Sequence, residues 1–73
     1  MDSLLPPMPE NLIRLSEVLR RVPYSRSTIY LKVARSEFPK PVSLGARAVA
    51  WVESEIDDWI AARIESGWIG IEE

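Results

Sequence analysis

The fold of this chain is decided between residues 25 and 51, which read Ser-Arg-Ser-Thr-Ile-Tyr-Leu-Lys-Val-Ala-Arg-Ser-Glu-Phe-Pro-Lys-Pro-Val-Ser-Leu-Gly-Ala-Arg-Ala-Val-Ala-Trp. Ser25 is a predicted helix N-cap, because its hydroxyl can accept hydrogen bonds from the free N–H groups of a first turn. The helix is expected to run to about Ser36, with Ile29 and Val33 facing inward. Pro39 and Pro41 then prevent the helix from continuing.

A short hairpin is predicted after the prolines. Residues 42–44 and 49–51 are two apolar strand candidates, and residues 45–48 form the loop between them. Gly45 permits a tight turn, and Arg47 lies at the tip. This hairpin is typical of the wing that follows a DNA-reading helix.

Another helix is expected before Ser25. Ser16 is its predicted N-cap, Glu17 suits the positive end of the helix dipole, and Pro23 ends it. About three residues then separate the two helices, which is the spacing of a helix-turn-helix.

A last helix is expected after the hairpin. Ser54 and Asp57 have the spacing of an approximate capping box, and Gly67 is a plausible C-cap. One face carries four apolar residues: Ile56, Trp59, Ile60 and Ile64. The predicted fold is α+β, a small winged helix-turn-helix with two helices, a two-stranded wing and a packing helix, with Trp51 and Trp59 in its core.

The charge is unevenly distributed along the chain. Residues 14–47 contain eight basic and two acidic side chains, a net charge of +6, whereas the ends are acidic and bring the whole chain to −2. A basic segment of this kind favours nucleic acid as the partner.

The composition also limits the chemistry of the chain. It lacks cysteine and histidine, so we expect no disulfide, no thiolate metal site and no histidine base, and we predict that the protein is not an enzyme and needs no cofactor. The carboxylates at 53, 55, 57 and 58 need no metal to explain them, since acidic residues suit a first helical turn. With neither a signal-peptide pattern nor a long apolar run, a cytoplasmic location away from membranes is expected.

Three regions are predicted. Residues 1–12 form a flexible proline-rich arm, residues 13–66 the DNA-binding domain, and residues 67–73 an apolar and acidic tail. Two apolar groups, Leu4, Leu5 and Met8 in the arm and Trp68, Ile69 and Ile71 in the tail, either pack on the domain itself or join a second copy, so that cooperative self-association on DNA is possible.

The reading helix supplies most of the predicted contacts. Arg26 has the geometry to pair with a guanine and Leu31 to meet a thymine methyl, while hydroxyl groups reach phosphates. Arg47 and Lys40 suit the adjacent minor groove or backbone, and Arg20 and Arg21 suit either phosphates or the dipole of their own helix. The predicted DNA-binding residues are Arg20, Arg21, Ser25, Arg26, Ser27, Thr28, Tyr30, Leu31, Lys40 and Arg47.

Residues 15–64 resemble a known family. The residues that carry the resemblance are Leu15 with Glu17-Val18, residues 25–30, 38–42, 44–45 and 47–51, Glu53-Ser54-Glu55-Ile56, and Trp59-Ile60. Together they resemble the AlpA-like prophage regulators and excisionases, small relatives of the MerR-type winged helix. The sequence departs from the family pattern at Leu31, where a basic or polar residue is usual, at Lys32, where an apolar one is usual, and at Ser36, which replaces a frequent glycine.

The resemblance implies a protein of a mobile element that binds double-stranded DNA near promoters or attachment sites. It implies either a transcriptional regulator or an excisionase, a directionality factor that bends DNA, with RNA polymerase or an integrase as a further partner. Residues 26–31 become the reading helix and Arg47 the wing residue. The rival hypothesis is a protein-interaction module, antitoxin-like or an adaptor, whose basic face binds an acidic partner instead of DNA.

Overall fold

The computed structural model describes residues 10–67, which form three helices and one three-stranded antiparallel sheet. The elements in chain order are β1 (Leu12–Ile13), α1 (Leu15–Arg21), α2 (Arg26–Ala34), β2 (Val42–Gly45), β3 (Ala48–Val52) and α3 (Glu53–Ser66). This is an α+β architecture compatible with the predicted winged helix-turn-helix, in which α1 and α2 are separated by residues 22–25.

The first helix begins at Leu15, two residues earlier than an N-cap at Ser16 allows. Arg14 is the N-cap, with an extended backbone, and its carbonyl accepts from the N–H groups of Glu17 and Val18 at 3.0 and 3.1 Å. The Ser16 prediction is therefore wrong, because the backbone has already entered the helix at Leu15. Val22 caps the other end, and the expected stop at Pro23 is confirmed.

The sheet contains a strand that the sequence pattern did not predict. Its order is β1-β3-β2, with Leu12 opposite Val52 and Ile13 opposite Trp51, and the Glu53 N–H donates to the Asn11 carbonyl at 2.8 Å. Residues 10–12, assigned to the arm from sequence, thus contact the domain. The arm residues Leu4, Leu5 and Met8 lie outside the described residues.

The core lies between the sheet and the three helices. Its buried cluster consists of Val18, Val22, Ile29, Phe38, Trp51 and Ile56. Trp51 is fully buried, as predicted, whereas Trp59 is half-buried and packs edge-on against Phe38 with ring centroids 4.8 Å apart. Phe38 is buried although it lies outside the predicted helices and strands, so no periodic pattern marks it as a core residue.

The last helix differs from its prediction at two positions. Ser54 is not its cap, because α3 already begins at Glu53 and the Ser54 hydroxyl donates to the Glu10 carboxylate at 2.9 Å. Ile64 is 54% exposed and not part of the inner face, since α3 extends beyond the core that Ile56 occupies. Gly67 is the C-cap, as predicted, and its N–H donates to the Arg63 carbonyl at 2.7 Å. The tail residues Trp68, Ile69 and Ile71 lie outside the described range.

The second helix ends in a left-handed turn at Ser36, two residues beyond Ala34. The Ser36 N–H donates to the Val33 carbonyl at 3.0 Å and the Glu37 N–H to the Lys32 carbonyl at 2.8 Å, which is a Schellman motif. Ser36 has a φ of 60°, a region in which glycine carries no steric penalty but serine does. This is the position where the family that the sequence resembles often has glycine.

Replacing Ser36 by glycine should therefore raise the free energy of unfolding by about 1 kcal/mol, because relief of left-handed strain outweighs the extra freedom of the unfolded chain. Thermal unfolding would measure this as a melting temperature about 4–8 °C higher. A lower melting temperature would show that the serine hydroxyl stabilises the turn by more than the strain costs.

Candidate nucleic-acid interface

The first turn of α2 is fixed by Ser25. Its hydroxyl oxygen accepts from the Thr28 N–H at 3.2 Å, which confirms the predicted N-cap, and donates to the Thr28 hydroxyl at 2.9 Å. Capping satisfies a donor that would otherwise lack a partner at the helix end. The turn that carries Arg26 and Ser27 is therefore held in place before any ligand binds.

The N-terminus of α2 has a different charge from those of the other two helices. Its first turn contains no acidic residue, whereas α1 has Glu17 there and α3 has Glu53 and Glu55. The N-terminal end of a helix carries a partial positive charge that attracts anions, and carboxylates in the first turn offset it. At α2 that charge is not offset and is reinforced by Arg26.

The outer face of α2 carries the side chains predicted to face outward. Arg26 and Ser27 are exposed, as are Tyr30 at 40% and Leu31 at 49%, whereas Ile29 on the opposite face is fully buried. The predicted outward orientation is confirmed for Arg26, Ser27 and Leu31, whereas Tyr30 is exposed on one side only, because its ring also contacts the core residue Trp51. A helix anchored on one side by Ile29 presents the other side as a rigid polar and apolar surface.

Trp51 connects three parts of this surface. Its ring lies against that of Tyr30, with centroids 6.1 Å apart, so that it contacts α2. Its indole N–H donates to the Pro39 carbonyl at 2.8 Å, which fixes the loop that carries Lys40. Because Trp51 itself belongs to β3, one buried side chain holds the helix, the loop and the wing in a constant relation.

The tip of the wing is a tight turn between β2 and β3. Gly45 has a φ of 147° and Arg47 a φ of 68°, and the pairing shifts register between Ser43 and Gly45. The Arg47 side chain is exposed. An arginine in a left-handed conformation costs energy that glycine would not, and strain of this kind is often found at functional sites.

Arg21 belongs to an ion-pair network instead of the open surface. Its guanidinium donates to Glu17 at 3.0 Å, to Glu53 at 2.6 Å and to Asp57 at 3.1 Å. The hydrogen bonds that Arg21 donates to Glu53, and then to Glu17, raise the pKa of Arg21. Those from Asn11 and then Arg21 lower the pKa of Glu53. Because three carboxylates already accept from Arg21, its guanidinium is less available to a phosphate than an exposed arginine is.

Arg20 differs from its neighbour. Among residues 10–67 it pairs only with Glu17, at 3.0 Å, and its side chain is 77% exposed. An exposed pair of this type contributes little free energy, so Arg20 can exchange its partner for a phosphate.

Most other cations of the basic segment have no carboxylate within ion-pairing distance among residues 10–67. The exception is Lys32, whose ammonium lies 3.7 Å from Glu37 and 5.3 Å from the centre of the Tyr24 ring. The cations of residues 14–47 that have no ion-pair partner in the described part of the chain are Arg14, Arg26, Arg35, Lys40 and Arg47, all exposed. Arg14 and Arg35 were not among the predicted contacts, although the charge count of the basic segment includes them.

No helix between residues 10 and 67 combines the length and apolar character needed to cross a membrane.

Comparison with known proteins identifies similar chains. Residues 11–64 match the model of the family described as prophage CP4-57 regulatory protein (AlpA). The chain is 47% identical over 55 residues to the uncharacterized protein ORF88 of Enterobacteria phage P4, a match that covers 75% of this chain and 62% of that protein. It is 38% identical over 58 residues to the DNA-binding transcriptional activator AlpA of Escherichia coli (strain K12), covering 71% of this chain and 83% of that protein. The match therefore spans less than two thirds of the phage P4 protein.

Proposed function

Because this chain belongs to the AlpA family of prophage regulatory proteins, we propose that it binds double-stranded DNA in a sequence-specific manner and regulates transcription for a mobile element. The observation that carries the proposal is the first turn of α2. This turn is capped by Ser25 and contains no acidic residue. It begins with Arg26, which has no carboxylate partner between residues 10 and 67, and it is anchored by the buried Ile29.

In the proposed complex α2 lies in the major groove. Arg26, at the start of the helix, pairs through two donors with a guanine, and the exposed Leu31 contacts a thymine methyl. Ser27 and Tyr30 donate to phosphate oxygens and fix the register without reading sequence. Ser25 and Thr28 contribute mainly by holding the first turn of α2 in place. Their hydroxyl groups can also form a further hydrogen bond with a phosphate.

The hairpin forms the second contact. Arg47 reaches the neighbouring minor groove or the backbone from the wing tip, and Lys40 and Arg20 bind phosphates on either side. The hydrogen bond from Trp51 to Pro39 and the contact between Trp51 and Tyr30 support this arrangement, because they keep loop, wing and helix in one geometry.

Regulation of transcription is the primary proposal because a relative that shares 38% identity is named a transcriptional activator. The alternative role is that of an excisionase. An excisionase bends DNA and acts with an integrase, whereas a transcriptional regulator contacts RNA polymerase. Since one domain of this size buries only roughly 600–1,000 Å² on DNA, we also propose that two copies bind adjacent sites cooperatively.

Replacing Arg26 by alanine tests base reading. On a site selected from a random duplex pool, the substitution should weaken binding by about 1–3 kcal/mol and relax the preference at one base pair. The matched control is Arg35→Ala, which removes another exposed arginine, at the opposite end of α2. If Arg26→Ala lowered the affinity for selected and random duplexes equally, Arg26 would be a phosphate contact and not a base contact.

Replacing Arg47 by glycine should have opposite effects on stability and on DNA binding. Removal of the left-handed strain should raise the free energy of unfolding by about 1 kcal/mol. Loss of the guanidinium should weaken DNA binding and flatten the slope of log affinity against log salt by about one unit.

Ser36→Gly is the control for Arg47→Gly, since it relieves the same kind of strain without removing a charge. It should stabilise the domain and leave DNA affinity unchanged. An Arg47→Gly variant that bound DNA as tightly as the parent, with the same salt slope, would remove the wing from the proposed interface.

A further inference from the structure

An apolar groove lies between the α1–α2 turn and the C-terminal half of α3. Its volume is about 220 Å³, and its walls include Val22, Pro23, Trp59, Ile60, Arg63 and Ile64. Pockets for drug-sized ligands usually measure roughly 300–1,000 Å³. The groove is therefore the right size for one or two apolar side chains of a polypeptide and too small for most organic ligands.

One edge of the groove is positively charged. The Arg63 guanidinium lies 5.6 Å from the centre of the Trp59 ring, and no carboxylate of residues 10–67 lies within ion-pairing distance of it. Arg21 also borders the groove, but it is already paired with three carboxylates. An occupant of this groove needs apolar side chains followed by an anionic group close to Arg63.

The sequence that follows α3 has this chemistry in this order. Gly67 ends the helix, and residues 68–73 read Trp-Ile-Gly-Ile-Glu-Glu. Apolar residues just beyond a helix end commonly contact the side chain one turn before it, which here is Ile64, a position left 54% exposed.

The segment is also long enough to reach the whole groove. Six extended residues span about 20 Å, whereas the distance from Gly67 back to Trp59 along the helix axis is about 12 Å. We propose that residues 68–73 occupy this groove of their own chain, with Trp68 and Ile69 against Ile64 and Ile60, and Glu72 and Glu73 near Arg63. This inference is independent of DNA binding, and it assigns a partner to the exposed Ile64.

A double-mutant cycle in the full chain tests the apolar contact. Ile64→Ser and Trp68→Ser should each lower the melting temperature by about 4–8 °C, and the double variant should melt little below either single one, because both remove the same contact. The control is Leu44→Ser on the wing, where the side chain is 50% exposed and outside the groove. Its effect should add to that of Trp68→Ser. Additive effects of Ile64→Ser and Trp68→Ser would overturn the proposal.

The same cycle at low and high protein concentration identifies whose tail is bound. An intramolecular contact gives a coupling that does not depend on concentration, whereas a contact between copies strengthens with concentration. Coupling that appeared only at high concentration, together with a dimer in sedimentation, would overturn the assignment to the same chain.

A second cycle tests the proposed contact between Arg63 and the acidic residues Glu72 and Glu73. Arg63→Gln and the paired Glu72→Gln and Glu73→Gln substitutions should show coupling that decreases at high salt. If their effects on the melting temperature added at low salt, Arg63 would not hold the acidic end of the segment.

Discussion

Replacing Trp51 by alanine should cost about 3–5 kcal/mol of folding free energy, the largest single-residue effect expected in this domain. Trp51 is fully buried, pairs across the sheet with Ile13, and lies in one cluster with Ile29 and Ile56. Small domains have a net stability of roughly 5–15 kcal/mol, so a loss of this size leaves a large unfolded fraction. Circular dichroism during thermal and denaturant unfolding would measure it.

Trp51→Phe separates packing from hydrogen bonding. Phenylalanine keeps most of the apolar contact but leaves the Pro39 carbonyl without the indole N–H that donates to it at 2.8 Å. Leaving a fully buried acceptor unsatisfied costs about 1–3 kcal/mol, and the cost here should be at the lower end because this hydrogen bond is only part-buried. The variant should therefore lie between the parent and Trp51→Ala. A Trp51→Ala variant with an unchanged melting temperature would contradict the description of Trp51 as the residue that joins α2, the loop and the wing.

The second helix and the wing were predictable because their signals are local. Ser25 can cap only the helix that follows it. Pro39 and Pro41 set a limit that this helix cannot pass, although the turn at Ser36 ends it earlier, after Ala34. The turn around Gly45 and Arg47 separates two apolar runs that pair directly. Once Ile29 was assigned to the inner face of α2, the helical periodicity predicted which residues face outward.

Features that depend on distant residues were not predictable in this way. The strand β1 has two residues, too few for an alternating pattern, and exists because Leu12 and Ile13 pair with Val52 and Trp51 far along the chain. Arg21 looked like a free cation at a helix end, but the carboxylates that occupy it include Glu53 and Asp57 on α3.

The errors at Ser16, Ser54 and Ile64 have a common cause. Each residue type suited the predicted role, but the backbone entered α1 and α3 before Ser16 and Ser54 were reached, and the core ended before Ile64. Element boundaries depend on which backbone groups find partners in the folded chain, and the hydroxyl or apolar character of one residue does not decide this.

The second large effect expected is the loss of DNA affinity with salt. Four cations of the proposed interface, Arg20, Arg26, Lys40 and Arg47, are exposed, and only Arg20 has an ion pair within residues 10–67. Each phosphate neutralised by a cation releases counterions, so four contacts give a slope of log affinity against log salt of about −3.6. Between 50 and 200 mM salt, affinity should therefore fall roughly 10²-fold.

Two variants test which residues produce the slope of log affinity against log salt. Arg47→Gly should reduce its magnitude by about one unit, whereas Arg21→Lys, at a residue already paired with three carboxylates, should leave it unchanged. A reduction for Arg21→Lys equal to that for Arg47→Gly would return Arg21 to the interface and would mean that its ion pairs open on binding.

The most direct test of DNA binding by α2 and the wing is the affinity of the full chain for a duplex, measured as a function of salt concentration. It needs no knowledge of the target, because phosphate contacts form on any sequence. We predict a linear dependence of log affinity on log salt with a slope of about −3.6. Absence of duplex binding at low salt, or a slope near zero, would contradict the proposed function and favour a module that binds another protein.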